Sequence, residues 1–295
     1  MRIQYLNGGL ANQVYQYLFF RFGQLSNPET AEEWFLDDSF FYVHKIHNGY
    51  ELEKVFPNIK VNLLSKCFDD ESWEMLIDNK KNGISIPQSL KNLGYDIKMI
   101  AETSNYNEAM HNPFDGPVYA APAANGYFPD IVRLKDEFIY YHGYWINPQY
   151  MKAYAPTLIK ELEFKDITDE KNAKVAADIL KTDSCAVHIR RGDYVGLGWT
   201  SANSFYKESV LKILEENRDA VFFVFSDDIN WCKENAKELG FDLPSRTEYV
   251  EGNIAGLNYI DMQLMTYAKY MIRGTSAFSY LAAMLNVRSE IIISD

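Results

Sequence analysis

The chain has 295 residues, a length that suits one large or two medium-sized domains. Its 47% hydrophobic and 24% charged residues are typical of an ordinary globular protein. A formal net charge of −12 excludes a general nucleic-acid-binding role, because that role requires a basic surface. An anionic ligand would therefore need a local positive pocket.

Cysteine spacing and the N-terminus bear on the compartment. Cys67, Cys185 and Cys232 are widely spaced and lack the paired spacing of a metal site, so we expect reduced thiols in a cytoplasmic protein. The N-terminus is too short and polar for a signal peptide, and no apolar run approaches the ~20 residues of a membrane span. Any membrane association would be peripheral, at the inner face. His44 and His47 are not followed by a third ligand at helical spacing, so no metal site is expected.

The chain begins with a strand, a glycine turn and a helix. Ile3–Leu6 has the pattern of a strand, Gly8 and Gly9 form the turn, and apolar residues recur at helical spacing from Val14. Glycines allow close backbone approach or a positive φ, and a helix N-terminus offers free N–H groups to an anion. An ordinary structural turn is the alternative, in which Asn12 caps the helix.

Between Asn27 and about Asp136 the pattern is irregular. Short helical pieces are predicted from Pro28 and from Glu51, and strands at Lys60–Leu64, Asn82–Ile86 and Phe138–Asn147. The composition of Asn105–Asp130, rich in Asn, Pro, Gly, Tyr and Ala, predicts an irregular surface segment. Loops of this kind often shape an acceptor site.

A domain boundary is expected near residue 160, where Pro156 and the charged stretch Glu161–Lys174 indicate a linker. Beyond it, strands alternate regularly with helices. The predicted strands are Ala186–Arg190, Ala220–Phe225, Thr247–Glu251, Tyr270–Arg273 and Glu290–Ser294, and the predicted helices are Asp169–Leu180, Asn203–Glu216, Trp231–Leu239, Tyr259–Tyr267 and Ser276–Leu285. This alternation predicts a Rossmann-type domain with parallel strands and a ligand site at their carboxyl ends.

Three polar segments follow predicted strands and should meet at that edge: His188–Tyr194, Ser226–Asp228 and Gly274–Ser279. The planar, permanently charged guanidiniums of Arg190 and Arg191 suit a phosphate or pyrophosphate. Strand alternation would place His188 and Arg190 on one face and Arg191 on the other.

The second segment could accept hydrogen bonds from a base or ribose, and the third opens a helix, which suits a phosphate. Each segment alone has an ordinary explanation, since arginines pair with acids, and acids and serines cap helices. Their convergence indicates a nucleotide site. No G-x-G-x-x-G and no Walker lysine are present, which excludes a dinucleotide enzyme and a P-loop kinase.

Four segments in this order resemble glycosyltransferase family 11, the α-1,2-fucosyltransferases. They are Gly8–Tyr17, His188–Tyr194, Phe225–Lys233 and Asp261–Ser279. In the last segment the family usually has Asn-Ser-Thr-Phe-Ser-Trp-Trp, where this chain has Thr275-Ser-Ala-Phe-Ser-Tyr-Leu, and Ala11 replaces a usual glycine.

The resemblance implies a GT-B-like α/β fold of two Rossmann-type domains facing a cleft. Residues 1–160 would form the acceptor-side domain and residues 161–295 the domain that binds the GDP-sugar. The implied reaction is an inverting, metal-independent transfer of L-fucose from GDP-β-L-fucose to a sugar hydroxyl. The acceptor would be an oligosaccharide, with an α-1,2 linkage to a galactoside of a surface glycan such as an O-antigen, and no cofactor would be required.

The resemblance also implies site residues. Arg190 would be catalytic, because it would stabilise the charge that builds on the β-phosphate of the leaving GDP, and one such donor typically lowers a barrier by roughly 3–4 kcal/mol. The implied donor-binding residues are His188, Arg191, Asp193, Asp227, Asp228, Ser276, Ala277, Phe278, Gly8, Gly9 and Asn12. Of these, Gly9 and Asn12 would face the pyrophosphate and the sugar from the N-terminal domain.

The general base is not identified. Asp193 is one candidate, with a structural role beside a neighbouring arginine as the alternative, and Val195–Thr200 contains no carboxylate. Two other functions stay open: transfer from another nucleotide sugar or to another linkage, and nucleotide-sugar binding without turnover.

Overall fold

The computed structural model describes residues 1–102, 118–121 and 126–295. The chain divides into two compact units, Met1–Phe164 and Lys165–Asp295, and each unit has its own five-stranded sheet. The division lies within the charged stretch Glu161–Lys174, beside the boundary expected near residue 160.

The N-terminal unit is built on a parallel sheet with the strand order β2-β1-β5-β3-β4. Its strands are β1 (Arg2–Tyr5), β2 (Trp34–Asp37), β3 (Ile97–Glu102), β4 (Val118–Ala121) and β5 (Phe138–His142). Its helices are Leu10–Ser26, Phe40–Val43, Leu52–Val55, Asp70–Lys81, Ile86–Asn92, Pro148–Lys152 and Ala155–Glu161, with 3-10 turns at Pro28–Glu33, Leu64–Lys66 and Pro129–Arg133.

The helix Leu10–Ser26 is the centre of this unit. Most of its residues are buried, and a buried ion pair joins Arg21 Nη2 to Glu161 Oε1 at 2.5 Å. The Tyr17 hydroxyl donates to the same carboxylate at 2.6 Å. Charges removed from water need such partners, so this network joins the long helix to the end of Ala155–Glu161.

Several predictions for this unit are wrong. Lys60–Leu64 is not a strand, since Leu63 makes only an isolated bridge to Leu36. Asn82–Ile86 is not a strand either, because Ser85 caps a helix that begins at Ile86, where its hydroxyl accepts a hydrogen bond from the Gln88 amide. Within Asn105–Asp130 the structure places strand β4, while residues 103–117 and 122–125 lie outside the described residues.

The C-terminal unit has the predicted parallel alternation, with the strand order β10-β9-β6-β7-β8. Its strands are β6 (Ser184–Ile189), β7 (Val221–Ser226), β8 (Thr247–Tyr249), β9 (Tyr270–Arg273) and β10 (Ile291–Ser294). Its helices are Glu170–Lys181, Gly192–Leu197, Asn203–Glu216, Ile229–Glu234, Ala236–Leu239, Asn258–Met265 and Ala277–Leu285. The segment predicted as one helix, Trp231–Leu239, is therefore two short helices.

Strand order locates the crevice of this unit. The chain runs from β6 outward through β7 to β8, and then returns to place β9 on the other side of β6. In open α/β sheets ligands bind at this topological switch point, outside the carboxyl ends of the two central strands. Here those ends are joined by a hydrogen bond from the Gly274 amide to the His188 carbonyl, at 3.4 Å.

Among the described residues, no helix is both long enough and apolar enough to cross a membrane.

Candidate functional site

Arg190 and Arg191 follow β6 rather than belong to it. The strand ends at Ile189, so the prediction that strand alternation sends the two arginines to opposite faces is wrong. Arg190 Nη1 lies 2.9 Å from Asp227 Oδ2, and Arg190 Nη2 donates to Asp193 Oδ1 at 2.6 Å. Its guanidinium carbon is 5.4 Å from the centroid of the Tyr194 ring. Two carboxylates and an aromatic ring therefore hold this cation at the strand end.

Arg191 is held by a different set of neighbours. Its guanidinium carbon lies 3.4 Å from the centroid of the Trp231 ring, and its Nε donates to Asp228 Oδ2 at 3.4 Å. Asp228 also caps the helix Ile229–Glu234 by accepting a hydrogen bond from the Trp231 amide. The stacked ring and the capping carboxylate fix the orientation of the second guanidinium.

The Asp227 carboxylate contacts both arginines, and its position requires a glycine at residue 192. One oxygen of Asp227 accepts the Arg191 backbone N–H at 2.8 Å, and the other pairs with Arg190. A Cβ at Gly192 would lie 2.5 Å from Asp227 Oδ2, which is closer than real contacts allow. The turn therefore needs glycine so that the carboxylate can approach the backbone.

His188 is buried at the end of β6, with 6% of its surface exposed. Its ring centroid lies 5.6 Å from that of Phe278, and its Nδ1 has no hydrogen-bond partner among the described residues. Burial, followed by the nearby charge of Arg190, lowers the pKa of His188 to about 3. The imidazole is therefore neutral at physiological pH, and a buried unpaired ring nitrogen is costly unless a ligand satisfies it.

The loop after β9 carries the third predicted segment. Ser276 occupies the N-cap position of the helix Ala277–Leu285, and its hydroxyl makes no capping hydrogen bond. The preceding residue, Thr275, donates two hydrogen bonds: its amide donates to Ser201 Oγ at 3.1 Å, and its hydroxyl donates to the Trp199 carbonyl at 2.6 Å. This loop is therefore tied to the segment that follows the arginines.

Gly8, Gly9 and Asn12 lie in the N-terminal unit. Gly8 has a φ of +77°, and a Cβ there would lie 2.7 Å from Asn12 Nδ2. Gly9 is the N-cap of the helix Leu10–Ser26, so the alternative in which Asn12 caps that helix is wrong. The Gln13 amide group donates to the Gly8 carbonyl at 2.9 Å and fixes the turn.

The predicted site residues thus fall into two groups. Gly8, Gly9 and Asn12 form one group in the N-terminal unit, and the other nine gather at the strand ends of the C-terminal unit. Sequence reasoning gave no role to Trp231 or Trp199, because nothing in their spacing shows which cation or loop an aromatic ring will contact. The part of the chain that the structure describes contains no group of three or more His, Cys, Asp or Glu residues able to hold a metal ion.

Comparison with known proteins places the chain in a family. The profile of "Glycosyl transferase family 11" matches residues 123–295, more than half of the chain. An alpha-1,2-colitosyltransferase of Escherichia coli is 29% identical over 95% of this chain and 86% of its own length. A galactoside alpha-(1,2)-fucosyltransferase 2 of Rattus norvegicus is 26% identical over 52% of this chain and 45% of its own length.

The fold matches a solved structure over the whole chain. The crystal structure of POFUT1 in complex with GDP-fucose has a TM-score of 0.52 and 15% sequence identity, and the match covers 99% of this chain and 97% of that one. At this identity the likeness concerns the fold alone, and it confirms the predicted GT-B-like α/β class. The chain therefore belongs to glycosyltransferase family 11 and is a glycosyltransferase.

Proposed function

We propose that this glycosyltransferase moves L-fucose, with inversion and without a metal, from GDP-β-L-fucose to a hydroxyl of a galactoside, forming an α-1,2 linkage. The acceptor oxygen attacks the anomeric carbon of the donor, the bond from that carbon to the β-phosphate oxygen breaks, and GDP leaves. The hydroxyl proton passes to a base that we do not assign.

The arrangement at the end of β6 is the observation that carries this proposal. Two guanidiniums and a buried imidazole nitrogen, which has no hydrogen-bond partner in the described part of the chain, lie at the switch point of a Rossmann-type sheet. Arg190 stabilises the charge that develops on the leaving phosphate. Arg191 contributes a second fixed positive charge, and His188 Nδ1 offers a hydrogen-bonding position to the nucleoside.

Arg190 must exchange a partner when the donor binds. Its contact with Asp193 joins two partly exposed side chains, 37% and 60% accessible, three residues apart. Exposed ion pairs of this kind contribute only about 0–1 kcal/mol, so a phosphate can replace the Asp193 carboxylate at little cost. Asp227 is less exposed and also binds the backbone, so it keeps the guanidinium in place during the exchange.

The other residues predicted to bind the donor are consistent with this proposal. Ser276 and the first amides of the helix Ala277–Leu285 add hydrogen bonds to the phosphates, since a helix N-terminus favours an anion. Asp228 and Phe278 border the nucleoside. The roles of Gly8, Gly9 and Asn12 in donor binding stay predictions.

A second donor has a specific observation in its favour. The E. coli relative that matches 95% of this chain is an alpha-1,2-colitosyltransferase, and colitose is L-fucose without the 3-hydroxyl. This 3-deoxy analogue is therefore our second candidate for the sugar that the chain moves. The two donors share the GDP leaving group, so the role of Arg190 is the same for both.

The test is GDP release from GDP-fucose and from GDP-colitose over a panel of β-galactosides, with and without EDTA. Acceptor-dependent release that survives EDTA supports the proposal, and the faster donor identifies the sugar. Arg190→Ala should lower turnover by about 100-fold or more while the protein remains folded, and the exposed Arg218→Ala serves as the matched control. Wild-type turnover in Arg190→Ala, or release only when a metal is supplied, would refute the assigned mechanism.

A further inference from the structure

A patch of exposed apolar side chains lies directly after the two arginines. Val195, Leu197 and Trp199 are 52%, 53% and 58% exposed, and the helix Gly192–Leu197 buries none of its residues. Single exposed apolar side chains are common, but several together next to a ligand site mark a binding surface. We call Tyr194, Val195, Leu197 and Trp199 the Trp199 platform.

The platform is held in a fixed position. The Trp199 amide donates to the Tyr194 carbonyl at 3.0 Å, and the two rings meet edge to face with centroids 5.6 Å apart. The Tyr194 ring also lies near the guanidinium carbon of Arg190, which is 5.4 Å from the ring centroid. The Trp199 carbonyl accepts the Thr275 hydroxyl, which anchors the platform to the loop that carries Ser276.

These contacts place an exposed indole one ring away from the guanidinium that the proposed function assigns to the donor phosphate. We propose that the Trp199 platform binds the acceptor saccharide, with the apolar C–H face of a galactose-type pyranose stacked on the Trp199 ring. This inference rests on the proposed function, which supplies the donor at Arg190.

The exposure of Trp199 favours the acceptor over the donor sugar. A donor sugar is best kept away from water, because water competes for the activated anomeric carbon. An acceptor belongs to a longer glycan and needs an open surface from which that glycan can extend. An indole that is more than half exposed, and preorganised by hydrogen bonds to its backbone, meets the second requirement.

The charges nearby favour a neutral saccharide over a membrane surface. Asp193, Asp227 and Asp228 surround the arginines beside the platform. These carboxylates repel an anionic bilayer, whereas a neutral sugar is indifferent to them. The four side chains of the platform also provide less area than the roughly 600 Å² that each partner contributes to even a small stable interface.

One position that departs from the family pattern contributes to this surface. Thr275 is one of the positions at which the chain departs from the pattern that it resembles, and its hydroxyl is the group that donates to the Trp199 carbonyl. Thr275→Val keeps the shape of the side chain and removes only that donor. Thr275 is therefore a positioning residue, which acts on the acceptor through Trp199.

The inference is tested by comparing Trp199→Ala and Trp199→Phe with the control Leu211→Ala, which removes a similarly exposed apolar side chain from the helix Asn203–Glu216. Trp199→Ala should raise the KM for the acceptor by about tenfold or more, as expected for an anchoring aromatic residue, while GDP affinity is retained. Trp199→Phe should recover part of this loss, and Leu211→Ala should change neither constant. Thr275→Val should raise the same KM several-fold.

An unchanged acceptor KM in Trp199→Ala would overturn the inference and leave the proposed function standing. The inference would also be overturned if the wild type bound phosphatidylcholine–phosphatidylglycerol vesicles or formed dimers, and Trp199→Ala abolished that binding or dimer formation without altering the acceptor KM. If the wild type transfers neither sugar, the proposed function fails and the platform is tested directly. Galactosides should then protect the fluorescence of Trp199 from quenching by acrylamide. The inference would be overturned if galactosides protected the wild type no more than they protect Trp199→Phe.

Discussion

Replacing Gly192 by alanine tests whether Asp227 organises the arginine turn. The added Cβ would lie 2.5 Å from Asp227 Oδ2, whereas ordinary contacts begin at 3.4 Å. The carboxylate and the backbone must therefore separate by about 0.9 Å. A shift of that size takes the 2.8 Å hydrogen bond from the Arg191 amide to Asp227 beyond normal range.

The expected magnitude follows from the bonds that are lost. A hydrogen bond to a charged group contributes about 1.5–3 kcal/mol, and Asp227 is partly exposed, so we expect Gly192→Ala to lower the free energy of unfolding by roughly 1–2 kcal/mol. Arg190 loses its main anchor at the same time. GDP affinity should therefore fall by about tenfold, which corresponds to about 1.4 kcal/mol.

The assay is calorimetric GDP binding together with urea unfolding. Gly196→Ala, in the same helix, is the matched control, because a Cβ there meets nothing within 4 Å. It should stabilise the protein by about 0.4–1 kcal/mol and leave GDP affinity unchanged. In an Asp227→Ala background, Gly192→Ala should change the free energy of unfolding and the GDP affinity little. Wild-type GDP affinity and stability in Gly192→Ala alone would refute the reasoning.

Three further predictions concern buried and titratable groups. Glu161→Ala leaves Arg21 buried without its partner and should destabilise the N-terminal unit by about 3–5 kcal/mol in urea unfolding; a loss below about 1 kcal/mol would contradict this. Burial raises the pKa of Asp261 to about 7, so the native state keeps a proton that the unfolded chain releases near pH 4, and stability should fall by up to about 4 kcal/mol as the pH rises from there to about 7. Asp261→Asn should remove this fall in urea midpoints measured across the same range, and an unchanged slope would count against it. Burial, followed by the charge of Asp38, raises the pKa of the Cys67 thiol to about 11, so iodoacetamide should label Cys67 more slowly than free cysteine at neutral pH, and equal rates would disprove the shift.

The fold of the C-terminal unit could be predicted because its two kinds of element have distinct patterns. Asn203–Glu216 and Tyr270–Arg273 match the prediction to the residue, since an amphipathic helix and a short, mostly apolar strand differ in pattern. In the N-terminal unit the sequence patterns of helices and strands are harder to distinguish. Strand β2 has only four residues, and the residues of β3 do not alternate cleanly between buried and exposed. At Ser85 a capping serine before a proline did indicate a helix, but the isoleucines around it favoured a strand.

The location of the candidate site could be predicted from the sequence, but the contacts between its residues could not. Parallel strands end at one edge, which is why the arginine, aspartate and serine segments were expected to converge. The pairing of Arg190 with Asp227 depends on how the chain turns after Ile189, where Arg191 has a ψ of −77° and Gly192 lacks a side chain. No periodicity in the sequence encodes that turn, so the partners of each arginine became visible only in three dimensions.

Two guanidiniums and three carboxylates share the ends of β6 and β7, so this cluster is anionic within a chain of net charge −12. An approaching nucleotide diphosphate is repelled until contact, where the arginines can exchange a carboxylate for a phosphate. Dissolved salt shortens the range of that repulsion more than it weakens the contacts. Capture of the nucleotide should therefore speed up as salt is added, and the ionic strength of a cell would assist the encounter.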